Sequence, residues 1–197
     1  MAPRLAVAAR QAGPKVNPIR YYEKYEIKVT VDGETYEYTL EDLMVVEYED
    51  STGIHRTIIG LTKPLPKGVL AEPQHVAAKL FTKEFLEKLG YEILEEEKRF
   101  TWRDGRVILD YFAKKLNGKM TIVECKHGDE LKSRIDQADN LFEIVKENDW
   151  KLIYSFLHVP QTPEAKKLFN HLVNLMKQYP NIVEIYIGGE KYEVSGG

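Results

Sequence analysis

One stretch constrains this chain more than any other: Arg106 to Lys126, RVILDYFAKKLNGKMTIVECK. Two apolar runs rich in β-branched and aromatic residues flank Asn117-Gly118, which reads as a β-hairpin. Both runs carry charge where a buried strand should have none. Asp110 interrupts Val-Ile-Leu and Tyr-Phe, while Glu124 and Lys126 close Met-Thr-Ile-Val. Burying an unpaired carboxylate or ammonium costs several kcal/mol, so such groups pair with each other or bind metal. Glu124 and Lys126 are two apart on a strand and share a face, with Cys125 on the other. Two acids and a lysine on one sheet face suit divalent-metal phosphodiester chemistry. The competing reading is a structural ion pair at a strand end.

The loop length decides whether the acids can meet. A two-residue loop at Asn117-Gly118 pairs Asp110 with Cys125 and turns Asp110 and Glu124 to opposite faces. A three-residue loop, Leu116-Asn117-Gly118, pairs Asp110 with Glu124. The expectation is the longer loop, with Gly118 in the left-handed conformation of a G1 bulge.

Asp110, thirteen residues and then Glu124-Cys125-Lys126 resembles the active-site signature of the PD-(D/E)XK nuclease superfamily, which includes restriction endonucleases and archaeal Holliday-junction resolvases. Ile108-Leu109 stand where the name of the signature would place a proline. The likeness spans roughly Glu72 to Val159 and implies a restriction-endonuclease-like core of helix, antiparallel meander, helix and strand. It further implies a DNA-cleaving enzyme using Mg²⁺ or Mn²⁺. Asp110, Glu124 and the backbone carbonyl of Cys125 would be ligands, and Lys126 would serve the attacking water or the phosphate. Glu72, near the start of the first helix, is the candidate for the acid that such helices often send to the metal. Gln137 sits where some members place a helix glutamine beside the site. Many members pair two sites, so the resemblance allows a homodimer.

Net charge is −3, which does not by itself advertise a nucleic-acid partner, but its distribution is uneven. Residues 21–60 carry a net −7, whereas residues 113–134 carry +3. Lys114, Lys115, Lys119, Lys132 and Arg134 therefore gather around the proposed site as candidate DNA contacts. The acidic exterior of residues 21–60, including Glu34, Glu37 and Glu41, argues against DNA on that face. A single cysteine excludes a disulfide framework and fits a reducing, cytoplasmic compartment. No apolar run approaches a membrane span. Abundant Glu and Lys with twelve tyrosines would suit a thermophile.

Three segments follow from the patterning: a basic flexible arm over 1–18, a β-rich subdomain over 19–66, and a nuclease-like core over 67–197. Asp32-Gly33 signals a hairpin, and two further strands complete a small antiparallel meander before the prolines at 64 and 66. From residue 73 the expected order is αβββαβαβ. A helix over about 73–89 is stopped by Gly90, and another runs from about Asp129 to Asn148 with Leu131 on its apolar stripe. The fold class is α/β (α+β), a mixed sheet flanked by helices. Readings from other classes are a non-catalytic nucleic-acid-binding or assembly module, and an interaction protein built around the acidic meander.

Overall fold

The computed structural model describes residues 15–18, 26–51, 53–69, 71–103 and 105–194. It resolves into two compact units, residues 1–81 and 82–197. In the first, β2 (Glu26–Val31) and β3 (Glu34–Thr39) form a two-stranded hairpin. Its turn has φ of 50° at Asp32 and 81° at Gly33, as a two-residue type I′ turn requires. A separate antiparallel sheet has the order β1 (Lys15–Pro18), β4 (Leu43–Asp50), β5 (Gly53–Leu61). The four expected strands therefore do not make one meander. A 3₁₀ turn at Leu40–Asp42, fixed by the Thr39 N–H donating to Asp42 Oδ2 at 2.8 Å, separates β3 from β4. Strand β4 pairs instead with Lys15–Pro18, which the sequence assigned to the arm. Residues 1–14 lie outside the described residues.

Helix α1 (Pro73–Lys88) ends before Gly90, whose φ of 91° suits a glycine beyond a helix C-terminus. The division between the units falls inside this helix. The second unit is built on a six-stranded mixed sheet. Strands β6 (Tyr91–Trp102), β7 (Gly105–Lys115) and β8 (Met120–Lys126) form the expected antiparallel meander. Helix α2 (Ile135–Asn148) leads to β9 (Lys151–Phe156), parallel to β8. Helix α3 (Pro163–Gln178) leads to β10 (Val183–Ile187), parallel to β9, and the short β11 (Glu190–Lys191) closes that edge. The connections fit the general rule that parallel neighbours need a crossover long enough to hold a helix.

The sheet has two buried faces. Phe112, Ile122, Leu152, Tyr154 and Phe156 pack with Ala138, Leu141 and Phe142 of α2 and Leu168 and Leu172 of α3. On the other face Ser155 shares a 2.7 Å hydrogen bond with Thr82 of α1, and Phe85 meets Tyr186 at 5.4 Å between ring centres. The unit thus covers both sides of β8 and β9, as parallel strands require.

Helix α2 starts six residues later than expected. Glu130 takes its carboxylate back to the N–H groups of His127 (2.7 Å) and Gly128 (3.0 Å), and Arg134 adopts a left-handed φ of 48°. These local bonds compete with a helical first turn. Leu131 consequently leaves the apolar stripe and stands 81% exposed.

Candidate active site

The meander brings the two acids together. Strand β7 pairs with β8 as Tyr111 with Val123, Phe112 with Ile122, and Lys114 with Met120, so one further step sets Asp110 opposite Glu124. This is the register of a three-residue loop. The Gly118 N–H donates to the Lys115 carbonyl at 3.0 Å across it. The left-handed residue is nevertheless Asn117, at φ 57°, and not Gly118. Asparagine tolerates that conformation because its short side chain can bond locally. Glycine is required at 118 for space: a Cβ there would lie 2.9 Å from the Lys115 Cβ.

Asp110 and Glu124 are 7% and 3% exposed. Each is held by the other strand's backbone or its own partner. Asp110 Oδ2 accepts from the Cys125 N–H at 2.8 Å, and Glu124 Oε1 accepts from the Asp110 N–H at 3.3 Å. Burial, and then repulsion from the Asp110 carboxylate, push the Glu124 carboxyl well above its ordinary range. Lys126 and the Asp110 N–H pull it back only in part. The Lys126 side chain is half-buried, and Cys125 is fully buried in the opposite face and forms no disulfide.

Two carboxylates buried side by side, with the Glu124 carboxyl raised by burial and by Asp110 and lowered only in part by Lys126, suit a divalent cation. Their oxygens are hard donors of the kind Mg²⁺ and Mn²⁺ prefer. Among the described residues no group of three or more His, Cys, Asp or Glu could hold a metal ion. Asp110 and Glu124 are two carboxylates that could hold a divalent cation here, with the Cys125 carbonyl and water able to add to them. Glu72 stands exposed at the start of α1 in the first unit, its carbonyl accepting from the N–H groups of His75 and Val76.

The expected basic contacts separate into two groups. Lys114, Lys115 and Lys119 lie at the turn end of the hairpin, with Lys114 about 13 Å along the strand from Asp110. There Lys119 pairs with Asp149 at 2.6 Å, and Lys115 sits 4.9 Å from the Tyr91 ring centre. Lys132, Arg134 and Gln137 lie at the other end and line one open groove with Arg106 and Ile108 of β7. Ile108 is two residues before Asp110 and so shares its side of the strand. Arg106, Ile108 and Leu131 were not singled out as contacts in the sequence, because nothing local marks them.

Tyr154 is a further residue that sequence reasoning missed. It is fully buried on β9 directly beside Glu124 on β8, and its hydroxyl has no hydrogen-bond partner among the described residues. A phenol in the middle of a fully buried strand was the available signal, since buried tyrosine hydroxyls usually find a partner.

No protein-family model and no curated protein matches the sequence. Among solved structures the chain is similar to SfsA from Pyrococcus furiosus in complex with Ca²⁺, with 16% identity, a TM-score of 0.35, and coverage of 90% of this chain and 91% of that one. It is also similar to a repair endonuclease from Pyrococcus abyssi, with 15% identity, a TM-score of 0.38 and coverage of 88% and 69%. A third likeness is to EndoMS in a complex with double-stranded DNA, with 12% identity, a TM-score of 0.36 and coverage of 89% and 66%. At these scores the likeness is remote, and no chemistry follows from it.

Proposed function

We propose that the β7–β8 hairpin is the active site of a divalent-metal-dependent deoxyribonuclease of the PD-(D/E)XK kind. The observation that supports this best is the burial of Asp110 and Glu124 side by side, where burial and Asp110 raise Glu124 and Lys126 lowers it only in part. Asp110, Glu124 and the Cys125 carbonyl would hold Mg²⁺ or Mn²⁺. The bound ion supplies Lewis acidity toward the scissile phosphate and a more acidic water. The chain supplies placement and charge. The Cys125 N–H fixes Asp110 Oδ2 at 2.8 Å, so this carboxylate needs little reorganisation on binding. Lys126 shares a strand face with Glu124 and carries the ammonium that would neutralise charge building on phosphorus or hold the attacking water. The Cys125 thiol, on the opposite face, takes no part.

Arg106, Lys132 and Arg134, with Asp136 and Glu164, line a groove that reaches Ile108, two residues along β7 from Asp110, and its three cations suit a phosphate backbone. The test is incubation of the full chain with single-stranded, duplex and branched DNA under Mg²⁺, Mn²⁺ or EDTA. Cleavage with metal and none with EDTA is expected. If no structure is cut with either ion, the catalytic reading falls, and binding without cutting would mark a non-catalytic DNA-binding module.

A further inference from the structure

We propose that the groove reaching Ile108, two residues along β7 from Asp110, takes an unpaired stretch of DNA, its bases against Leu131 and Ile108 and its phosphates on Arg106, Lys132 and Arg134. This rests on the reading of the site as one that handles DNA. The groove has a volume of about 810 Å³, the scale of a site for one small molecule. Its lining combines two features that a duplex backbone does not need together.

The first is apolar. Leu131 is 81% exposed and Ile108 is 51% exposed, and both line the same groove as the three cations. Phosphate and sugar gain nothing from aliphatic side chains, whereas the faces of bases do. Aliphatic residues of this kind insert between base steps in known nucleic-acid complexes. In a duplex those faces are covered by stacking, and exposing them costs a few kcal/mol per step in general. An unpaired strand offers them at lower cost.

The second feature is an acceptor. Gln137 lines the groove, and its side-chain oxygen is buried without a hydrogen-bond partner among the described residues, so a turn of the side chain would present an unsatisfied acceptor to a ligand. Phosphate oxygens only accept, so they cannot satisfy it. Base amino and imino groups can donate, and pairing in a duplex consumes the donors of the Watson–Crick edge. Asp136 and Glu164 also line the groove and would repel phosphate, which leaves the side marked by Arg106, Lys132 and Arg134 for the backbone.

The test is fluorescence anisotropy of the full chain in EDTA, so that nothing is cut. The probes are a labelled mixed-sequence single strand, its duplex, and an abasic strand of equal length. The single strand should bind about tenfold more tightly than either of the others. Leu131→Ser should lower single-strand affinity about tenfold and leave the duplex unchanged. With its side chain in solvent, this substitution spares the fold, which circular dichroism would verify. Lys132→Gln should weaken all three probes alike and reduce the salt slope by about 1. Equal binding of single strand and duplex, or an equal loss on both with Leu131→Ser, would overturn the inference and leave the nuclease reading standing. Binding to no probe would overturn both. A single-strand preference in a protein that cuts nothing with Mn²⁺ would support the groove and remove only the catalysis.

Discussion

Glu124 and Glu184 are both buried glutamates of the same six-stranded sheet, and their surroundings drive them in opposite directions. At Glu184, burial opposes ionisation, but Lys151 at 2.6 Å more than offsets it, assisted by Lys191 at 3.7 Å and the Tyr186 hydroxyl at 3.3 Å. Its carboxyl lies below the ordinary value. At Glu124, burial comes first and the Asp110 carboxylate adds to it, while Lys126 compensates only in part, so that carboxyl lies well above the ordinary value. An acid that serves the fold has cations to match. Glu124 is not offset in this way, because Lys126 leaves it raised, and a folded chain tolerates such a raised acid most readily where function requires it.

The largest expected effect is on cleavage, and it should divide the two glutamates cleanly. Asp110→Asn and Glu124→Gln keep shape but remove ligand charge, so metal affinity and turnover should fall together, turnover by about a hundredfold or more. Lys126→Ala should keep metal binding while losing on the order of 3 kcal/mol of transition-state stabilisation, again about a hundredfold or more in rate. Glu184→Gln should leave turnover per folded molecule unchanged. DNA binding should survive Asp110→Asn, and could tighten, since a negative charge facing phosphate has gone. Single-turnover cleavage and Mn²⁺ titration separate these outcomes. A Glu184→Gln protein as inactive as Glu124→Gln would erase the distinction between the two sites.

Stability in EDTA should distinguish them by sign. The folded Glu124 holds its proton more tightly than the unfolded chain, whose value is near 4.5. Wild-type stability is therefore lost as pH rises above about 4.5, until the folded group ionises. Glu124→Gln removes that loss and should raise Tm near pH 8 while changing little near pH 4. Glu184 is lowered from the same value of 4.5, so its contribution is present above that pH and fades as pH falls below it. Glu184→Gln should thus lower stability near pH 8 by about 1–3 kcal/mol, for a hydrogen bond to a charged group, and lower Tm with it. Each tenfold change in the acid equilibrium is worth about 1.4 kcal/mol, and each kcal/mol about 2–4 °C of Tm at this chain length. Added Mn²⁺ should stabilise wild type and spare Glu124→Gln that gain. Thermal melts across pH, with and without Mn²⁺, measure all four signs.

The difference between these sites also marks what the sequence could and could not disclose. The strands of the meander were legible because β-branched runs, Asn117-Gly118 and the alternation at 124–126 all point one way. Charge in an apolar run identified Asp110 and Glu124, and the requirement that they share a face selected the three-residue loop. The dipeptide marked the turn but not which residue would be left-handed, since Gly118 is needed for its approach to Lys115 and Asn117 takes the positive φ. Leu131 matched a helical stripe, yet Glu130 bonding back to His127 and Gly128 delays the helix, a choice between local bonds that periodicity does not register. Charge counting placed five basic residues around the hairpin without separating its two ends. The counter-charges of Glu184 were hidden because Lys151 lies 33 residues away in sequence and meets it only across paired strands.

The smallest expected effect concerns the tyrosine beside each glutamate. The Tyr186 hydroxyl donates to Glu184 Oε2 at 3.3 Å, and its ring packs 5.4 Å from that of Phe85. Tyr186→Phe keeps the ring and loses the donor, so it should cost about 0.5–1.5 kcal/mol. Tyr154 adjoins Glu124 across the strand pair, with its hydroxyl buried and unpartnered among the described residues. Removing an unsatisfied buried polar group relieves its desolvation, so Tyr154→Phe should be neutral or stabilising by up to about 1 kcal/mol. Urea denaturation in EDTA near pH 8 reads both. If Tyr154→Phe costs as much as Tyr186→Phe, then water joins the Tyr154 hydroxyl to the acidic pair in solution. Glu124 would then have a donor that matches the one serving Glu184, and the contrast between the two glutamates would narrow to Lys151 and Lys191 against Lys126.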